Sequence, residues 1–310
     1  MSVLSEKSIQ KIKTFTLPGF DGVPMITVLR FFFKEIIQEN IVTRGSSIAF
    51  FFILSVFPGL IFLFTLIPYI PINHFQTNLL LTIKDLINNE GAYQMIRSTI
   101  NDIVAIPHSS LLSVGFLLSI YSAMSGVKAM ISSFNKSYEH TFKKRNIFQT
   151  NFVALKLTLM LSILLIVSLT LVIAQQALFD WLFKVLSIKS FSAKNIITVL
   201  HYLIIVALLF FALSSLYYYG PAVKKKFKFI SAGSTLATIL FITTSVGFSW
   251  FVNNFGKYNT LYGSIGSVIV IMLWIYFNSI VIIIGFELNA SIAISKNKIA
   301  LKQVDTNVEF

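Results

Sequence analysis

The sequence predicts an all-α, polytopic membrane helix bundle of about six transmembrane helices, with both termini cytoplasmic and amphipathic helices lying in the interface. Three observations carry this expectation. Apolar residues make up 55% and charged residues 12% of the 310 positions, whereas soluble domains carry roughly 25% charged side chains. Four or more separate stretches approach the length of about 20 apolar residues that crosses a hydrocarbon core. Lys and Arg, finally, are distributed unevenly among the segments between those stretches.

Residues 1–23 form a polar N-terminal segment in which Pro18, Gly19 and Gly22 mark a mobile lead-in. Glu6, Lys7, Lys11 and Lys13 are mixed with scattered apolar positions there, so the continuous core of a cleavable signal peptide is missing. A single membrane domain follows over 24–294, and 295–310 read as a polar C-terminal tail. Within 24–43, Met25, Val28, Leu29, Phe32, Phe33, Ile36 and Ile37 recur near helical spacing between charged residues, the pattern of a helix lying in the cytoplasmic interface. The first span covers 46–69 and contains Pro58, whose missing backbone donor predicts a kink. From 72 to 108 the chain is too polar to cross, yet Phe75, Leu79, Leu80, Ile83, Leu86 and Ile87 form a stripe that predicts one or two surface-lying helices. Five more spans follow over 110–134, 152–179, 196–219, 229–252 and 263–294, separated by short basic or polar links.

Seventeen Lys and Arg residues fall on one side of this arrangement and six on the other. Basic residues collect in cytoplasmic loops, so the N terminus is placed in the cytoplasm and the even span count returns the C terminus there. The net charge of +13 is thus a matter of topology. Lys224, Lys225, Lys226 and Lys228 follow Gly220 and Pro221 in one cytoplasmic link, where anionic lipid is the expected contact and nucleic acid is not. Membrane lipids, anionic ones above all, are the expected partners, and a homo-oligomer stays open. Six spans also permit an inverted repeat, although no residue match joins the two halves.

No cysteine is present, which removes disulfides and thiolate chemistry together. His74, His108, His140 and His201 lie on different segments and form no metal spacing, and the twelve Asp and Glu residues are dispersed. No catalytic residues, metal or cofactor are expected, and the chain does not read as an enzyme. Any transport is therefore passive or gradient-driven.

Ionisable residues inside spans are costly and face a partner, a cavity or a pathway. Four are placed toward the cytoplasmic leaflet by the topology: Arg44 at the start of span one, Lys128 late in span two, Lys156 early in span three and Glu287 late in span six. In one reading they converge into a site of net positive charge for an anionic headgroup or phosphate, with Arg44 as the bidentate donor. In the other, Lys128 and Lys156 snorkel to the interface while Glu287 pairs with Arg44 to fix the bundle. Tyr262, Gly263, Ser264 and Gly266 open the sixth span with the small residues that let membrane helices pack closely, or that serve as a hinge. Ser55 and Pro58 mark a kink or a proline-freed carbonyl in the same way.

Two stretches resemble the YihY/BrkB family of bacterial inner-membrane proteins. One is RGSSIAFFFILSVFPGLIFLF at 44–64; the other covers 217–290, with YYYGPAVKKKFKF, the glycine-led SAGSTLATILF and YGSIGSVIVIMLWIYFNSIVIIIGFELNA. The hydrophobic order and the basic link before the fifth span fit as well. Members once carried the label ribonuclease BN, which the dispersed carboxylates here do not support. The resemblance implies a fold and a bacterial inner membrane and leaves the activity open. Ser46 and Ser47 stand where the family often has alanines, and Phe286 where a small residue is usual before the glutamate, departures that bear on packing and pocket width. Together these features lead to a transporter or lipid translocase for an anionic amphipathic envelope substrate, with a non-transporting scaffold of the cell envelope as the alternative.

Overall fold

A computed structural model describes residues 15–38, 40–66, 90–105, 109–136, 145–173, 191–223, 226–254 and 264–308, together with isolated positions within 80–84 and 178–185. Eight helices are delimited among them: α1 Met25–Gln38, α2 Ile41–Leu66, α3 Glu90–Ala105, α4 Ser109–Lys136, α5 Ile147–Ile173, α6 Phe191–Tyr219, α7 Ala232–Asn254 and α8 Ser264–Val308. All but α1 and α3 are long and apolar enough to cross a membrane, over Ile41–Phe62, Ser113–Asn135, Ile147–Val172, Lys194–Tyr219, Ala232–Val252 and Val268–Ile299. The all-α bundle with six candidate spans expected from the sequence is the one observed.

Several boundaries move for local reasons. The interfacial stretch expected over 24–43 breaks in two, because Asn40 adopts a left-handed φ of 45°, a conformation that Asn tolerates better than most residues. Its side-chain Oδ1 then accepts a hydrogen bond from Thr43 Oγ1 at the head of α2. The apolar span ends at Ile299, and the helix α8 continues into the polar tail as far as Val308. No glycine or proline follows Gly285, and Ala300, Leu301, Lys302 and Gln303 are good helix formers. Residues 15–24, expected to be mobile, form a double turn instead. Phe20 and Val23 anchor it by packing with Val28 and Phe32 of α1 against Leu288 and Ile292 of α8.

The six spans close into a ring. Each packs against its neighbour in sequence, α2 on α4, α4 on α5, α5 on α6, α6 on α7 and α7 on α8, and α8 returns onto α2. The α2–α4 contact is the most extensive of these. Burial along the ring is uneven. Ile48, Val127, Ile131, Phe134, Ala154, Leu157, Leu216, Tyr217, Ala237, Ile283 and Phe286 make one continuous core. All of them lie near the start of α2, α5 and α7, late in α4 and α6, or midway along the long α8, which is one end of the bundle. Along α5 the inward positions pass from buried at Ala154 and Leu157 to half-buried at Leu164, Ser168 and Leu171. The opposite halves expose Leu117, Ile166, Val172, Leu203 and Trp250, a quantity of apolar surface that suits hydrocarbon and not water.

Candidate functional site

The sealed end of the ring is built around Arg44. Its guanidinium, 5% exposed, places Nη1 2.7 Å from Oε1 of Glu287, which is 0% exposed. Nη2 donates to the carbonyl of Ser133 at 2.5 Å. Ser133 lies in the last turn of α4, where carbonyls lack an intrahelical partner, so one side chain caps α4, neutralises α8 and belongs to α2. A planar guanidinium with forked donors can do this where a lysine could not.

The surrounding helices approach closely at glycines. A Cβ on Gly45 would meet Cγ1 of Ile280 at 2.7 Å, so α2 and α8 come together one residue from Arg44. On the next interface, a Cβ on Gly233 would collide with the Gly285 carbonyl oxygen, and one on Gly285 would stand 2.5 Å from the Tyr217 hydroxyl. Tyr217 uses that space to donate to the Ile282 carbonyl at 2.8 Å. Asn289 completes the crossing: its Oδ1 accepts the Gly233 N–H at 2.8 Å and its Nδ2 donates to Ser231 Oγ at 2.9 Å. Ser231 and Ser234 exchange side-chain-to-backbone bonds across the first turn of α7, the reciprocal arrangement of a capping box. Phe286, the departure from the family pattern, is fully buried and stacks on Phe134 with ring centroids 4.3 Å apart.

A cavity of about 500 Å³ opens beside this lock, between α2 and α4. Its walls are Thr43, Arg44, Ser47, Phe51, Tyr121, Ser125, Lys128, Ala129, Ser132 and Ser133. Two cations and six hydroxyls thus share one wall with aromatic and apolar surface, which suits the polar end of an amphipathic anion. Ser47, another of the departures from the family pattern, adds a hydroxyl where an alanine would add none. Lys128 has its Nζ 6.0 Å from the Tyr121 ring centroid.

Of the four charged residues singled out in the sequence, the structure joins Arg44 to Glu287 and brings Lys128 to the same cavity. Lys156 is apart. It is exposed on α5, with Nζ 4.2 Å from the Tyr219 ring. Ser55 and Pro58 sit half-buried in α2, and Ser55 Oγ donates to the Phe52 carbonyl at 2.6 Å. Gly266 is buried in the first turn of α8, whereas Tyr262 and Gly263 lie outside the described residues. Close helix crossings among the described residues fall at Gly45, Gly233 and Gly285. Sequence reading also passed over Arg145, which donates to the carbonyls of Tyr219, Gly220 and Pro221 at 3.3, 2.6 and 3.0 Å and so caps the end of α6. Desolvation lowers its pKa from the ordinary arginine value, and the three carbonyls are what compensate the buried charge. Among the described residues, no three of the His, Asp and Glu side chains gather to hold a metal ion.

Known proteins place the chain. The putative ribonuclease-like protein YfkH of Bacillus subtilis (strain 168) is 29% identical over 267 residues, covering 84% of this chain and 94% of its own length. A UPF0761 membrane protein of Tolumonas auensis is 23% identical over 270 residues, 84% of either chain. Another, from Alteromonas mediterranea, is 35% identical over 86 residues, 28% of this chain and 29% of its own. No solved structure matches. Residues 32–307 match the family described as Virulence factor BrkB, and with most of its length covered this membrane protein belongs to that family.

Proposed function

We propose that the protein moves an anionic amphipathic lipid or envelope precursor between the leaflets of a bacterial inner membrane, with the sealed end of the ring facing the cytoplasm. The observation that carries this reading is the cavity between α2 and α4. Lys128 supplies its charge beside the paired Arg44, and hydroxyls of Thr43, Ser47, Ser125, Ser132 and Ser133 supply neutral donors and acceptors. The ring's uneven burial supports the same reading, since tight packing at one end and half-buried inner positions at the other describe a bundle closed on one side. Lys128 gives the headgroup its charge partner, and the Arg44–Glu287 pair holds the wall of the site in place.

Reconstituted vesicles carrying headgroup-labelled lipid test it, with an active flippase as control. Wild type is expected to translocate an anionic lipid faster than a zwitterionic one. K128Q is expected to lower the anionic rate about fivefold, the effect of removing one basic residue from near an anionic surface. Rates equal to those of protein-free vesicles would remove the translocase. A second reading, a non-transporting scaffold of the envelope, draws on the engagement of both terminal nitrogens of Arg44 by Glu287 and Ser133, which marks the pair as a lock. Copurification of a stoichiometric partner without lipid movement favours it.

A further inference from the structure

A second basic site lies away from the α2–α4 cavity, on other elements. Between α1 and the late turns of α8 runs an open groove of about 520 Å³ whose walls include Ile26, Arg30, Phe31, Lys34, Ser295 and Lys298. Arg30 and Lys34 are four apart in α1, so both project to the same side of that helix. Lys298 comes from α8, and its Nζ stands 4.8 Å from the Phe31 ring centroid, close enough for a cation–π contact that holds it over the groove. Ser295 is 2% exposed, and its Oγ has no hydrogen-bond partner. A buried hydroxyl left unsatisfied at a cavity wall is a group awaiting a ligand or water. No carboxylate is among the described lining residues.

Three cations and a waiting hydroxyl match a phosphate group, which accepts charge-assisted hydrogen bonds from several donors. The setting selects among the sources of phosphate. Phe33 and Ile37 of α1 are 56% and 81% exposed, so α1 offers an outward apolar face of the kind that sinks into the acyl boundary. Ile299, at the end of the groove, also ends the apolar window of the last span, the depth at which headgroups lie. A free phosphate would use the cations and none of this apolar surface.

We propose that this groove is a specific site for the phosphate headgroup of an anionic membrane lipid, which bridges α1 to α8 from the adjoining leaflet. The site is independent of lipid translocation, because its residues are not those of the α2–α4 cavity. Native mass spectrometry of the full chain released from membranes of equal phosphatidylglycerol and phosphatidylcholine tests it. One phosphatidylglycerol is expected to stay bound in preference to phosphatidylcholine. The triple variant R30Q/K34Q/K298Q is expected to lose it, K128Q to keep it, and millimolar inorganic phosphate to leave it in place. The single variants R30Q and K298Q, each weakening retention about fivefold, give the answer even where the triple variant does not fold. Equal retention of both lipids, or wild-type retention by the single variants, would overturn the proposal. Displacement by inorganic phosphate would overturn it in favour of a soluble phosphate ligand.

Discussion

A guanidinium that is 5% exposed, with a carboxylate at 2.7 Å and a helix-end carbonyl at 2.5 Å, has little freedom to act as a mobile binding group. Removing one partner of a buried pair leaves an uncompensated charge and costs about 3–5 kcal/mol, whereas replacing both with apolar residues of similar volume is often nearly neutral. E287Q and R44Q are therefore each expected to lower unfolding stability in detergent by about 3 kcal/mol. The double variant R44M/E287L recovers most of that loss. A double variant as unstable as the two single losses added together would show that the residues are not coupled. This pair was legible in the sequence because a charge inside a span demands a partner, and each of the two residues lay at a depth the other could reach. The position of Lys156 was not legible. α5 is apolar all round, so nothing in its pattern says which side faces the ring, and the side chain points to Tyr219 instead of the cavity.

Between elements, the decisive contacts are backbone approaches at glycine. G285A and G233A each introduce a methyl where no room exists, and overpacking of this kind costs about 1–3 kcal/mol. Gly247 on α7 has nothing within 4 Å of a built Cβ, so G247A is expected to be neutral or slightly stabilising. Thermal unfolding of the three variants distinguishes them, and equal behaviour at 233 and 247 would contradict the crossing geometry. The sequence predicts close packing at the small residues of 262–266, of which Tyr262 and Gly263 lie outside the described residues, and it does not single out Gly233 or Gly285. Which glycine meets which helix depends on the return of α8 across α7 and α2, a tertiary fact with no local signature.

The N-terminal turn gives a pH-dependent test at the same scale. Asp21 accepts from Lys228 at 2.6 Å and from Lys296 at 3.2 Å, tying the turn to the α6–α7 link and to α8. Its carboxyl is held below the usual value, first by the hydrogen bond from Lys228, against the opposing effect of burial, with Lys296 adding to the lowering. A carboxylate whose folded pKa is depressed contributes stability above its unfolded pKa, about 3.9, and loses it as pH falls through the lower folded value. A spin label at T16C, in a chain with no cysteine of its own, is expected to be immobile above about pH 4 and to gain mobility only below the ordinary carboxylate range. In D21N it is mobile throughout. Mobility that ignores both pH and D21N would contradict the clasp.

For the whole molecule, hydropathy and length were enough to give six crossing helices, because a hydrocarbon core accepts little else. Closure of the ring through α8 and α2 was not written in any single segment. It rests on one ion pair, one glycine and one stacked pair of phenylalanines, at positions 44, 287, 45, 286 and 134, which only the fold brings together. Arg44, Glu287 and Lys128 are brought to a common end of the bundle, and there the cavity between α2 and α4 opens. Phospholipid carrying a photoreactive headgroup, cross-linked to the reconstituted full chain and mapped by peptide mass spectrometry, asks directly whether that cavity receives an anionic amphipath. Anionic lipid is expected to label residues 43–51 and 121–133, and K128Q to lower that labelling about fivefold. Labelling that avoids both stretches, or that is equally strong with a zwitterionic headgroup, would contradict it.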